Sequence, residues 1–155
     1  MSIPEKLAAI EGSWRGTNRL HLGDWAPENP ILDSDATAEV RKRSGGQFLE
    51  VSYTWTYKGE PKEGVILVGT DPRSGTVSAC WTDSFHMANQ LMSCEGRETG
   101  AGGVVVRGQY KVEGHPDWGW RTEIVPGDGA FRYLMYNISP DGHEEIAVEM
   151  DLSPA

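Results

Sequence analysis

Apolar and polar residues alternate with a period of two along almost the whole of this chain. Between positions 47 and 57 one parity collects Leu49, Val51, Tyr53, Trp55 and Tyr57, while the other holds mostly Glu50, Ser52, Thr54 and Thr56. Successive side chains of a strand point to opposite faces, so this alternation predicts a strand with one packed and one wetted side and turns the aromatic row inward. By the same alternation Trp14, Asn18 and Leu20 face inward, as do Trp81 and Asp83; Trp118, Trp120, Thr122 and Ile124; Tyr133, Met135 and Asn137; and Ile146, Val148 and Met150. Arg121, Glu123, Arg132, Glu145, Glu149 and Asp151 face water, with Ala147 a neutral member of that face. The pattern predicts ten strands, over 13–22, 36–44, 47–57, 63–71, 75–83, 90–96, 103–113, 118–126, 130–138 and 144–151. One stretch, 4–10, reads as helix: Ser2 is placed to cap it, Pro4 falls in its first turn, and Leu7, Ala8 and Ile10 form a short apolar stripe.

The breaks between strands carry turn chemistry. Gly45-Gly46, Lys58-Gly59-Glu60-Pro61, Asp71-Pro72-Arg73-Ser74-Gly75, Gly114-His115-Pro116-Asp117, Gly127-Asp128-Gly129 and Pro140-Asp141-Gly142 supply Gly for positive φ or Pro with its fixed φ. Connections this short force antiparallel neighbours, because parallel strands need long crossovers. A meander of ten strands leaves two open edges unless the sheet closes on itself. The predicted fold is therefore all-β, a closed antiparallel up-and-down barrel of about ten strands with one short N-terminal helix. The longest irregular stretch, 23–35 with Trp25, Pro27 and Pro30, reads as a lid or portal. Barrel diameter grows with strand number, and eight strands already leave room for one small ligand, so ten predict a cavity. Its expected lining, large aromatics with a few polar groups (Asp83, Asn18, Asn137, Thr122), is that of small-molecule pockets.

Composition narrows the classes. The 155 residues, 38% of them hydrophobic, suit one domain over 1–155 that folds without disulfides or a structural metal. No apolar run is long enough to span a bilayer, and the first ten residues lack the features of an export signal, so the cytoplasm is the expected compartment. A net charge of -9 argues against nucleic acid as a partner. The one basic cluster, Arg41-Lys42-Arg43, reads as a solvated strand end. Cys80 and Cys94 fall on neighbouring strands and are expected as free thiols in a reducing compartment.

Several segments carry more specific signals: Gly12-Ser13-Trp14-Arg15-Gly16 at the start of the first strand, Trp55-Thr56-Tyr57 before Gly59, Trp81-Thr82-Asp83-Ser84-Phe85-His86-Met87, Asp117-Trp118-Gly119-Trp120-Arg121-Thr122, and Asn137-Ile138-Ser139-Pro140-Asp141-Gly142. Together they resemble a bacterial domain-of-unknown-function family with a calycin-like barrel, related in shape to lipocalins, fatty-acid-binding proteins and nitrobindin. The resemblance covers nearly the whole chain and implies the fold. It also implies that Trp14 plugs one end of the barrel. The last strand departs from the lipocalin pattern in having no Arg to stack on that Trp.

The leading expectation is a binding protein, monomer or homodimer and away from membranes, that holds a small apolar or aromatic molecule. The candidate ligand-binding residues are Trp14, Tyr53, Trp55, Trp81, Asp83, His86, Trp120, Tyr133, Met135 and Asn137. Asp83 and His86 are also the candidate acid–base pair of an alternative reading as a small barrel enzyme. In a regular strand they point to opposite faces, so a bulge or turn at Ser84 is needed to unite them. No cofactor is expected. The resemblance to nitrobindin brings in haem as a further alternative, with His86 and His143 as candidate axial ligands, while His21 and His115 read as exposed. No metal is expected either, because Cys80, Cys94 and His86 lack the close paired spacing of zinc sites. Arg121 and Glu149 are candidates for a salt bridge between neighbouring strands, and a purely structural role stays open.

Overall fold

All ten strands form in the computed structural model, which describes residues 3–155; the Ser2 cap lies outside the described residues. They are β1 (Gly12–His21), β2 (Ile31–Arg43), β3 (Phe48–Tyr57), β4 (Glu60–Thr70), β5 (Thr76–Asp83), β6 (Met92–Glu98), β7 (Val104–Tyr110), β8 (Trp118–Gly127), β9 (Ala130–Ile138) and β10 (Glu144–Pro154). Each pairs antiparallel with its neighbours in sequence, and β1 pairs with β10 from Trp14↔Pro154 to Leu20↔Val148, closing the barrel.

One end is sealed by the chain's own start. Helix α1 (Glu5–Ala8) is a single turn with Pro4 at its N-cap, shorter than the 4–10 stripe predicts. Ile3, Leu7 and Ile10 are buried beneath the barrel. Trp14 follows them, its indole N–H donating to the Ile10 carbonyl at 2.8 Å and its ring edge-on to Phe131 at 4.8 Å. We call this end the floor. At the opposite end, the mouth, lie the turns 22–30, 58–59, 84–91, 111–117 and 139–143.

Three expectations are corrected. β2 begins at Ile31 rather than 36, because Leu32 pairs with Leu20 and the Arg19 guanidinium bonds Asp33 at 3.0 Å. The mouth loop shrinks accordingly to 22–30. A bulge in β10 between Ile146 and Val148 shifts the face assignment: Ile146 pairs with the outward Tyr136, and Ala147 joins the core instead. Arg121 pairs not with Glu149 but with Glu123 and Glu144, its guanidinium 3.9 Å over the Tyr136 ring. Glu149 pairs with His21 and Arg132. That His21 contact, at 2.8 Å, leaves the imidazole only partly exposed.

The basic strand end is neutralised, Arg43 bonding Glu50 through two nitrogens and Arg41 bonding Glu39. Both cysteines are free thiols. Cys94 faces the core beside Met92, and burial, with a smaller contribution from Cys80, pushes its thiol up to about 11. Cys80 takes the opposite parity of β5, next to the inward Trp81, so the two side chains leave opposite faces of the sheet.

Candidate functional site

Below the mouth, three strands set up a buried polar row. Tyr53, Gly64 and Asp83 are cross-strand partners on β3, β4 and β5. Gly64 is there for space: a Cβ at that position would lie 2.3 Å from the Tyr53 hydroxyl oxygen. With no side chain between them, Tyr53 reaches across and donates to Asp83 Oδ2 at 2.7 Å while accepting from Trp81 Nε1 at 2.9 Å. Trp55 Nε1 adds a bond to the same carboxylate oxygen at 3.3 Å.

β5 ends at Asp83, and the chain turns immediately. The backbone N–H groups of Phe85 and His86 donate to Asp83 Oδ1 at 2.8 and 3.0 Å, and Met87 N–H donates to the Asp83 carbonyl. This turn is what the sequence requires for Asp83 and His86 to meet at one end. It also determines what Asp83 does. The carboxylate accepts four hydrogen bonds, all from neutral donors, which occupies its acceptor positions and makes it the anchor of the turn.

The turn carries His86 into a ring of aromatics. Its imidazole lies 5.8 Å from Trp55 and nearly parallel to it, 5.2 Å from Trp120, 4.9 Å from Phe85 and 6.1 Å from Trp81. Burial holds the imidazole below the usual histidine range, with Asp83 pulling the other way. Trp81 and Trp120, from strands that are not neighbours, stack across the lumen at 5.3 Å and 11°. Tyr53 and Tyr133 meet lower down at 5.1 Å. Burial raises both phenols well above the ordinary tyrosine range. Met135, 1% exposed, packs at this level too. These rings cluster in the middle of the barrel.

Space opens higher up. A cavity of about 310 Å³ at the mouth is lined by Trp25, Tyr110, Val112, His115, Trp118 and Asn137. A second of about 390 Å³ shares Trp25 and Asn137 and extends to His21 and Glu145. Trp25, on the 22–30 loop, is 91% exposed. Asn137 Oδ1 accepts from Tyr110 at 2.6 Å, which fixes the amide, and Asn137 is the cross-strand partner of Trp120. Trp120 packs behind this lining, its ring 6.3 Å from that of Tyr110. A larger depression, about 790 Å³, lies over β5, β6 and β7, where the β6–β7 register runs only from Glu98↔Val104 to Glu95↔Arg107. Above that point Met92 and Cys94 cover Gly108, the cross-strand partner of Trp120.

Several buried polar atoms have no partner among the described residues: His86 Nε2, Trp120 Nε1, Thr122 Oγ1 and Asn18 Oδ1. Buried polar groups are nearly always bonded to protein or water, so these atoms mark where something polar belongs.

The candidate residues separate by level. Trp14 belongs to the floor. Tyr53, Trp81, Tyr133 and Met135 form the packed middle, with Trp55 and Asp83 bracing its upper edge. Asn137 lines the mouth cavity, while Trp120 and His86 belong to the aromatic cluster around Trp81. Sequence reading missed Tyr110, Val112 and His115 as lining, and took Trp25 only as part of a loop. Tyr110 does fall on the inward parity of its strand, facing Trp118 across it, and that signal could have found it.

The two histidines considered for haem stand in different surroundings. His143 is exposed and bonds Glu145 at 3.1 Å, outside the barrel. His86 is surrounded by the rings of Trp55, Trp81, Phe85 and Trp120.

Fold and site together define a closed ten-stranded antiparallel barrel, sealed at one end and aromatic at the other. The profile of a family described as "Protein of unknown function (DUF1579)" matches residues 4–153, and the chain belongs to that family. No curated protein sequence matches it. Among solved structures, the crystal structure of Rv2717c from M. tuberculosis is similar, with a TM-score of 0.60 and 12% identity over 99% of each chain. At that identity the likeness concerns the fold. Among the described residues no helix is long and apolar enough to cross a membrane.

Proposed function

We propose that this protein binds a small, largely apolar or aromatic molecule at the mouth of its barrel. The observation that carries this is the cavity of about 310 Å³ walled by Trp25, Tyr110 and Trp118, with one fixed amide, Asn137, at its edge. Apolar walls supply affinity in such pockets, and sparse polar atoms set orientation. Trp25 borders the site from an exposed loop, and Trp120 packs behind the lining residues Tyr110 and Asn137. A calycin-like, bacterial and cytoplasmic binding protein, monomeric or homodimeric, is the setting that fits this role. Native mass spectrometry of freshly purified protein is the test. An adduct of small-molecule mass, lost in Trp118→Ala, is the expected result; a bare chain that also takes up no aromatic probe contradicts it.

A further inference from the structure

We infer that the molecule taken at the mouth is electrically neutral and carries an oxygen acceptor, such as a ketone, aldehyde, ester or amide, which seats against Trp120 Nε1 and His86 Nε2. This rests on the binding reading above. Both nitrogens are buried without a partner, and their rings are neighbours at 5.2 Å. Trp120 lies next to two residues of the cavity wall, as the cross-strand partner of Asn137 and with its ring 6.3 Å from that of Tyr110. An indole N–H can only donate, so what it lacks is an acceptor. A hydrocarbon guest would leave that donor unpartnered, and buried unpartnered donors are costly.

The charge of the guest follows from Asp83. Its carboxylate lies in the same aromatic cluster, hydrogen-bonded by Tyr53, Trp55 and two backbone N–H groups, all of them neutral. An anionic guest would bring a second negative group beside it with no counter-ion, in a chain whose net charge is already -9. Burial favours the uncharged form of His86, which makes it a hydrogen-bonding partner rather than a cation for such a guest. Asn137, whose Oδ1 accepts from Tyr110, also carries an amide N–H₂ donor at the cavity edge.

Three probes of one shape separate the possibilities: 2-acetylnaphthalene, the hydrocarbon 2-isopropenylnaphthalene, and 2-naphthoate, each titrated calorimetrically at neutral pH. The ketone is expected to bind about tenfold tighter than the hydrocarbon, the worth of one hydrogen bond, and the carboxylate most weakly. Trp120→Phe, which keeps a ring but has no N–H, should bring ketone and hydrocarbon to equal affinity. In the unaltered protein, the Trp120 indole proton should move downfield when the ketone is added. Equal affinities for ketone and hydrocarbon in the unaltered protein, or a stationary Trp120 proton, would overturn the acceptor subsite while leaving the binding reading intact. Tightest binding of the carboxylate would overturn neutrality. Binding of none of the three would defeat the binding reading itself.

Discussion

The two ends of this barrel use aromatic residues in opposite ways. At the floor, Trp14 is locked: its N–H is bonded to Ile10, its ring meets Phe131 edge-on, and α1 covers it with Leu7 fully buried. At the mouth, Trp25 stands almost free in solvent, Trp118 lines a cavity, and Trp120 keeps a buried N–H with no partner. One end is satisfied and closed by its own chain, whereas the other holds unspent hydrogen-bonding capacity beside open space. The difference teaches where stability and where recognition reside, and substitutions should separate the two.

The largest effect is expected at the floor. Trp14→Ala removes a buried ring and leaves a cavity, costing about 3–5 kcal/mol of unfolding free energy. Denaturant titration should show that loss with probe affinity unchanged in the folded fraction; equal stability would mean the floor is not the keystone described here. Next comes Gly64→Ala, whose new methyl drives Tyr53 off Asp83. Overpacking of this kind costs about 1–3 kcal/mol, and the Asp83-anchored turn should show faster hydrogen exchange at the Phe85 and His86 amides. At the mouth the balance reverses. Trp118→Ala should weaken probe binding about tenfold while changing stability by less than about 1 kcal/mol.

Smaller still is the pH effect of His86. Burial lowers its folded pKa below the ordinary value near 6.5, so its contribution to stability is complete above about pH 6.5 and is lost as pH falls toward the folded value. Asp83 opposes that shift and limits it. The stability lost on moving from pH 7.5 to 5.5 should therefore be smaller in His86→Phe than in the unaltered protein, and equal losses would contradict the burial described. The least effect concerns thiols: burial raises Cys94 to about 11, so a thiol reagent at neutral pH should modify it only as fast as the barrel opens.

The barrel was legible because the period-two alternation and the Gly/Pro turns recur strand after strand; the row from Leu49 to Tyr57 alone gives the inner face of β3. Alternation fails where the count is broken. One extra residue in β10 exchanged Ile146 for Ala147, and nothing in the local composition announces that bulge. β2 was cut short because its first residues were read with the irregular stretch of Trp25, Pro27 and Pro30, and only the pairing of Arg19 opposite Asp33 assigns them to the strand. The site was half visible. Inward Trp120 and Asn137 follow from parity, but the aromatic cluster depends on Trp81 and Trp120 meeting across the lumen, a pairing between distant strands that strand-by-strand reading does not contain.

The chain has six tryptophans, and they report on every level at once. Nitrogen-15 spectra of their indole N–H groups during titration with 2-acetylnaphthalene give the most direct measurement. The signals of Trp25, Trp118 and Trp120 should move together and saturate while that of Trp14 stays still. Movement of Trp14 alone, or of all six equally, would contradict a binding site at the mouth.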